Sequence, residues 1–255
     1  MTAAFIWLLV WVRLLRPLQI RRRPWTVERV RPERDRTTVL TLRPAGHQGL
    51  RFEPGQFAWI TVGRSPFWVT SHPFSLCSSA ETNGRVEVAI KAAGDFSSSV
   101  ATVKEGTEVY LDGPHGVFSI DQYEGAGFCL IAGGVGIAPA LSMLETLADR
   151  HDVRPVVLFA GNRTWDTIIF RTRIDELTAR LNLKVVHVLE DPPPDWTAET
   201  GYLNADIFTR HLPGGYPRFQ FFACGPNPML DAVETALVTI GTPADRIHTE
   251  RFDWV

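Results

Sequence analysis

Between Trp25 and Gly113 the chain repeats one rhythm: short runs of alternating apolar and polar positions, separated by turn residues. TVERV, TVLTLRP, QFAWITV, FSLCSS, RVEVAIK and TEVYLD are six such runs. A period of two puts every second side chain on one face of a strand, and regularly spaced short strands predict a small antiparallel barrel. Between the fifth and sixth runs, Phe96 to Val103 carries serine at its start and reads as a short capping helix. From Phe128 the rhythm changes to apolar strand followed by helix: FCLIA then PALSMLETLADR, PVVLFA then IFRTRIDELTARL, LKVVHVL, and FQFFAC then PMLDAVETALVTI. That alternation predicts a mostly parallel sheet with helices on both faces. The expected fold class is therefore α+β with two domains: an antiparallel β-barrel over residues 24–124, then an α/β parallel-sheet domain over 125–255. The boundary is expected near Asp121 to Gly127, and Pro192 to Pro194 read as a rigid loop.

The first 23 residues follow neither rhythm. Residues 1–12, MTAAFIWLLVWV, are almost wholly apolar and are followed by Arg13, Arg16, Arg21, Arg22 and Arg23. A membrane-spanning helix needs about 20 apolar residues, so the stretch reads as the end of a span. Arginines after the apolar run favour the cytoplasmic side from Arg13 onward, whereas a secretory signal carries its positive charge first. The alternative is an amphipathic or packed N-terminal helix.

Composition narrows the function classes. Hydrophobic residues at 45% and charged residues at 21% suit a globular chain with a real core, and 26 basic against 28 acidic side chains lack the positive excess of a nucleic-acid binder. Cys77, Cys129 and Cys224 lie far apart without CxxC spacing, so the chain alone assembles neither a zinc site nor a cysteine-ligated iron-sulfur cluster. A reducing compartment fits that cysteine usage.

Two glycine turns carry candidate chemistry. In IAGGVGIAP, Gly133, Gly134 and Gly136 follow an apolar strand and open a helix, where bare backbone N–H groups and the helix terminus can receive a pyrophosphate; Val135 lies within the turn. The spacing departs from GxGxxG, and tight packing turns use glycine too. In FACGPNPML a strand again ends in a turn, Cys224–Gly225–Pro226, before a helix. Ligands of open α/β sheets bind beyond the carboxyl ends of the strands, so both turns belong to one cleft. Cys224 at a strand end could approach a nicotinamide ring, or be a buried structural cysteine. Arg163, in GNR after the second parallel strand, can clamp a 2′-phosphate and favours NADPH over NADH, with Arg171 and Arg173 as further candidates.

In the barrel half, HPFSL sets His72 and Phe74 on one face and Ser75 on the other, and IKAAGDFSSS, from Ile90, supplies a glycine turn and hydroxyls at a helix start. Together with GQF (Gly55 to Phe57), GPHG (Gly113 to Gly116), GGVGIAP, CGP and the terminal HTERF, these motifs make residues 25–255 resemble the ferredoxin-NADP reductase superfamily. The dehydrogenase half of the ferric reductase and NADPH oxidase group matches best. The usual flavin motif is RxYS or RxYT; here His72 replaces the arginine and Phe74 the tyrosine, as in the oxidase branch.

The resemblance implies FAD and NADPH as cofactors, with NADH also possible. His72 would contact the FAD phosphates, Phe74 would pack on the flavin with Pro73 between them, and Ser75 would hydrogen-bond near its reactive nitrogen. Lys91, Gly94, Phe96, Ser97 and Ser98 would complete the pyrophosphate cradle. Phe252 would cover the flavin face that nicotinamide must reach, with Trp254 as its rival. Ser75, Cys224 and Phe252 form the implied catalytic set. MTAAFIWLLVWVRLLRPL looks like the end of the last helix of a haem-carrying membrane domain, although no paired helical histidines are present to ligate haem. The expected activity passes a hydride from NAD(P)H to FAD and then single electrons to haem, ferric iron or oxygen at the cytoplasmic membrane face. The expected partner is that membrane domain or another electron-acceptor protein. Alternatives are a soluble reductase feeding an iron-sulfur or monooxygenase partner, and a non-catalytic flavin-binding fragment.

Overall fold

A computed structural model of the chain describes residues 2–68, 70–82 and 84–252. The period-two positions Trp25 and Val27, Leu40 and Leu42, Ala58 and Ile60, and Val86, Val88 and Ile90 are all buried in one cluster. They belong to β1 (Trp25–Glu33), β2 (Thr37–Pro44), β3 (Phe57–Val62) and β5 (Val86–Lys91); β4 (His72–Ser75) and β6 (Glu108–His115) complete the antiparallel sheet, in the order β4-β3-β6-β1-β2-β5. The FSLCSS run enters the sheet only at its start. Past Ser75, Leu76 bridges Val88 and the Cys77 N–H donates to the Glu87 carbonyl, which joins the two ends of the sheet. The expected capping helix is α3 (Asp95–Ser99), followed by a single tighter turn at Val100–Thr102.

The second sheet contains β7 (Phe128–Gly133), β8 (Val156–Asn162), β9 (Leu183–Leu189), β10 (Glu199–Thr200), β11 (Gln220–Gly225) and β12 (Ile247–Arg251). Their order is β10-β9-β8-β7-β11-β12, and all the pairings are parallel. Central strands buried on both faces read as unbroken apolar runs. Accordingly Phe128, Leu130 and Ala132 enter one core with α4 (Ile137–Asp149) and α5 (Arg171–Thr178), while Cys129 and Ile131 enter the other with α6 (Ala205–His211) and α7 (Asn227–Thr239). Three elements lay outside the helix–strand pattern: the two-residue β10, β12 and α6. β12 is a half-polar strand at the sheet edge, and α6 is short and starts on Asn204, whose side chain accepts from the Ile207 N–H at 3.0 Å.

The sheets meet along a polar seam. From α4, the Ser142 hydroxyl donates to the Ser78 carbonyl at 2.7 Å, and the Thr146 hydroxyl accepts from the Ala80 N–H at 2.8 Å while donating to the Ser142 carbonyl. Both side chains are fully buried. One turn further, Arg150 pairs with Glu81 and Asp121. From α5, Arg173 lies between Glu87 of β5, at 2.7 Å, and Glu145 of α4.

At the other end, α1 (Thr2–Val10), a five-residue π-helical stretch (Trp11–Leu15) and α2 (Arg16–Arg21) follow one another. α2 is fastened to the barrel by Arg16, 2.7 Å from Asp112, and by the buried Pro17. Phe5 to Val12 stand exposed. Among the described residues, no helix is long and apolar enough to cross a membrane.

Candidate active site between the two sheets

β7 and β11 are neighbours in the middle of the parallel sheet, with Cys224 opposite Ala132, so the turns that follow them are pressed together. A Cβ at Gly136 would lie 2.2 Å from the Cys224 carbonyl oxygen, and one at Gly133 would lie 2.4 Å from the Met229 sulfur. These two glycines are required by protein packing, and Gly225 likewise faces Met229. Gly134 differs: its φ is +54°, and among the described residues nothing lies within 4 Å of where its Cβ would be. That left-handed position with open space beside it is the part of the turn shaped for a ligand. The sequence reading gave the three glycines one role; the structure divides them into two that hold the turns together and one that opens outward. Val135 packs on the interdomain core, and β5 of the barrel touches the turn Gly134–Gly136.

On the barrel side, aromatic stacking couples β4 to α3. The His72 ring lies on Phe96 at 4.1 Å and 18°, and Phe74 approaches Phe96 at 6.1 Å and 22°. Pro73 is exposed between them and Ser75 is buried. Offset ring stacks of this kind hold a side chain in place without a hydrogen bond. The Ser97 hydroxyl accepts from the Ala93 and Gly94 N–H groups, so it caps its own helix, while Ser98 is exposed. Lys91 forms an ion pair with Asp35 at the β1–β2 turn.

At the far end of the chain, Cys224 of β11 lies beside Glu250 of β12. Burial pushes the Cys224 thiol well above its usual range, and the Glu250 carboxylate adds to the effect. Burial also raises Glu250 itself. Phe252, half-buried, packs on the core cluster that contains Cys224. Trp254 lies outside the described residues. Glu250 is a carboxyl the motif reading passed over, although its place in HTERF, two residues before Phe252, already set it at the end of that segment.

The arginines divide three ways. Arg163 is exposed at the end of β8 and paired with Asp191 at 2.9 Å. Arg171 lies over the Trp165 ring at 4.4 Å and donates to the Trp165 carbonyl. Arg173, read as a phosphate candidate, is instead consumed by Glu87 and Glu145 in the seam. Asp191 also escaped the sequence reading, because it stands 28 residues from its partner on the next strand's exit loop.

Residues 27–119 match the model of an FAD-binding domain, and residues 130–235 match that of an oxidoreductase NAD-binding domain. The chain therefore joins an FAD-binding domain to an oxidoreductase NAD-binding domain, in the fold of the ferredoxin-NADP reductase superfamily. It is 32% identical over 235 residues to the reductase component of propane 2-monooxygenase from Rhodococcus jostii, covering 89% of this chain and 62% of that one. It is 31% identical over 174 residues to NADH-cytochrome b5 reductase 1 from Kluyveromyces lactis, covering 66% of this chain and 61% of that one. The chain thus spans about three fifths of the length of these curated relatives. The flavohem-like FAD/NAD-binding domain of nitric oxide dioxygenase from Vibrio cholerae has the same fold, with a TM-score of 0.79 at 24% identity, over 90% of this chain and 98% of that domain.

Proposed function

We propose that this chain is an FAD-dependent NAD(P)H reductase module that delivers electrons to a separate acceptor. The observation that carries the proposal is the meeting of the open Gly134 turn with barrel strand β5, in a molecule whose neighbouring strand β4 carries the His72–Phe96–Phe74 stack. FAD, when bound, accepts a hydride from the reduced nicotinamide and passes on electrons singly. His72, Phe74, Phe96 and the backbone around Gly94 to Ser98 would hold FAD, with Ser75 donating near its reactive nitrogen. The outward-facing Gly134 and the adjoining turn Gly225–Pro226 would receive the nicotinamide nucleotide. Phe252, packed on the core cluster that contains Cys224, would cover the flavin face and would have to move aside for nicotinamide. Cys224 keeps its proton, so no thiolate charge stands in the cleft. Hydride transfer needs no general base, and the residues serve to bind, align and exclude water.

The Arg163–Asp191 pair weighs toward NADH. A guanidinium already neutralised by a carboxylate is a poor clamp for a 2′-phosphate, and that carboxylate repels one. The HPFS form of the flavin motif supports placement near the ferric reductase and NADPH oxidase group. The exposed apolar helix supports work at the cytoplasmic face of the cell membrane, with a haem-carrying membrane domain as acceptor. A second reading, a reductase component that feeds an oxygenase, draws on the propane 2-monooxygenase relative.

The test is anaerobic mixing of the FAD-loaded protein with NADH and with NADPH while flavin absorbance is followed. Bleaching is expected with both, with the second-order rate constant of flavin reduction higher for NADH by about tenfold, and Asp191→Ala should narrow that ratio. Flavin that stays oxidised with either nucleotide overturns the proposal.

A further inference from the structure

We infer that the loop between β3 and β4, through Phe67 and Trp68, is a second contact with an anionic phospholipid bilayer, set beside the root of the apolar helix. The inference rests on the membrane-face reading above and adds to it a surface that the N-terminal sequence does not contain.

Phe67 is 39% exposed and Trp68 is 52% exposed, large apolar side chains on a surface loop. They are not scattered. Phe67 and Trp68 line a groove of about 500 Å³ whose opposite wall is Val12, Arg13 and Arg16 of the N-terminal helix. Arg16 and Pro17 mark the level at which that helix is fastened to the barrel, and the residues before them project freely. The loop aromatics therefore flank the point where the apolar helix leaves the protein body.

Two observations select lipid over a protein partner. From Phe5 to Val12 every side chain is at least 36% exposed, and the apolar residues run all round the helix with no polar stripe. A partner helix buries one stripe, whereas an all-round apolar surface calls for an apolar medium on every side. Charge adds the second argument. Arg13, Arg21, Arg22 and Arg23 follow the apolar run beside the Asp112-paired Arg16, and Arg64 lies over the Trp68 ring at 4.7 Å, in a chain whose net charge is −2. Arginine and tryptophan side by side, below an apolar surface, match the headgroup layer of an anionic membrane. Trp68 precedes the flavin-motif residue His72 by four positions, so bilayer contact at this loop would set the flavin strand close to the membrane.

The test uses the full FAD-loaded chain and protein-free vesicles, either pure phosphatidylcholine or phosphatidylcholine with a minority of phosphatidylglycerol, read by co-sedimentation. Wild type is expected to bind the mixed vesicles more tightly than the neutral ones. Phe67→Ser/Trp68→Ser should weaken that binding about tenfold, with flavin content and dye reduction by NADH unchanged. Ile6→Ser/Leu9→Ser tests the helix separately and should also weaken binding. If the loop variant sediments like wild type while the helix variant does not, the inference is overturned and the membrane reading survives. Wild type that ignores both kinds of vesicle overturns the two together and leaves a protein partner for the groove. Equal binding to both vesicles overturns the anionic assignment.

Discussion

The seam between the two sheets and the N-terminal helix are opposite solutions to the placement of polarity. In the seam, charged and hydroxyl side chains are taken out of water: Ser142 and Thr146 are fully buried, and Arg173, Glu87 and Glu145 are each about one fifth exposed. On the helix, phenylalanine, tryptophan and leucine stand in water. Neither is explained by propensity or by the average preference of a residue type for inside or outside. The seam residues find partners within the chain, one for each donor and acceptor named above. The exposed apolar residues bury little against the other described residues. A mismatch satisfied internally marks a structural joint, and one left unsatisfied marks a surface meant for something else.

The largest effect that breaks this comparison should come from Arg173. Removing it leaves Glu87 and Glu145 as uncompensated like charges between packed elements. Burial already raises the Glu145 pKa, with Arg173 acting against that rise. Arg173→Ala is expected to destabilise the protein by about 3 kcal/mol in denaturant unfolding, and the triple replacement Arg173→Met/Glu87→Gln/Glu145→Gln to recover most of it. A loss below about 1 kcal/mol would mean that the seam is held elsewhere.

Thr146→Val should come next. The change keeps shape and removes one acceptor and one donor, leaving the N–H of the half-buried Ala80 without its partner, at about 1 kcal/mol. The segment Leu76–Glu81 leaves the flavin strand β4, and α4 begins at the glycine turn, so this bond joins the two halves of the site. The rate of flavin reduction at saturating NADH is therefore expected to fall about tenfold in Thr146→Val and to be restored in Thr146→Ser. A change in melting temperature without a change in that rate would leave Thr146 a purely structural residue.

The seam also shows where sequence reading stops. The six barrel runs and the β7, β8, β9 and β11 strands were legible because burial on one face, or on both, imposes a period on the chain. The polar positions Ser142, Glu145 and Thr146 of α4, with Arg150 just past its end, fall on one face at helical spacing and so look like an ordinary solvated face. Only the approach of residues 78–87 reveals that they face protein. The same limit applies to the site. His72, Phe74 and Phe96 were visible as a motif, and the structure stacks them. Gly133 and Gly136 could not be distinguished from Gly134, because a glycine that admits a neighbouring carbonyl and one that opens toward a ligand are the same letter. β12 was missed because an edge strand buried on part of one side has too few apolar positions to set a period, and Glu250 went with it, whereas Asp191 was missed because its partner Arg163 stands 28 residues away in the chain.

The smallest expected effect is the one that sharpens the comparison most. Ile6→Ser/Leu9→Ser removes two large apolar side chains, a change that costs several kcal/mol in a core. Here Ile6 is 59% exposed and Leu9 46% exposed in the free protein, with no buried partner to lose. The variant is therefore expected to unfold within about 0.5 kcal/mol of wild type, with solubility raised and vesicle binding weakened. Denaturant unfolding without lipid, followed by the flavin signal, measures the first quantity. A loss above about 2 kcal/mol would place the helix against the protein body in solution, moving it to the seam's side of the comparison and removing the reason to look for a membrane.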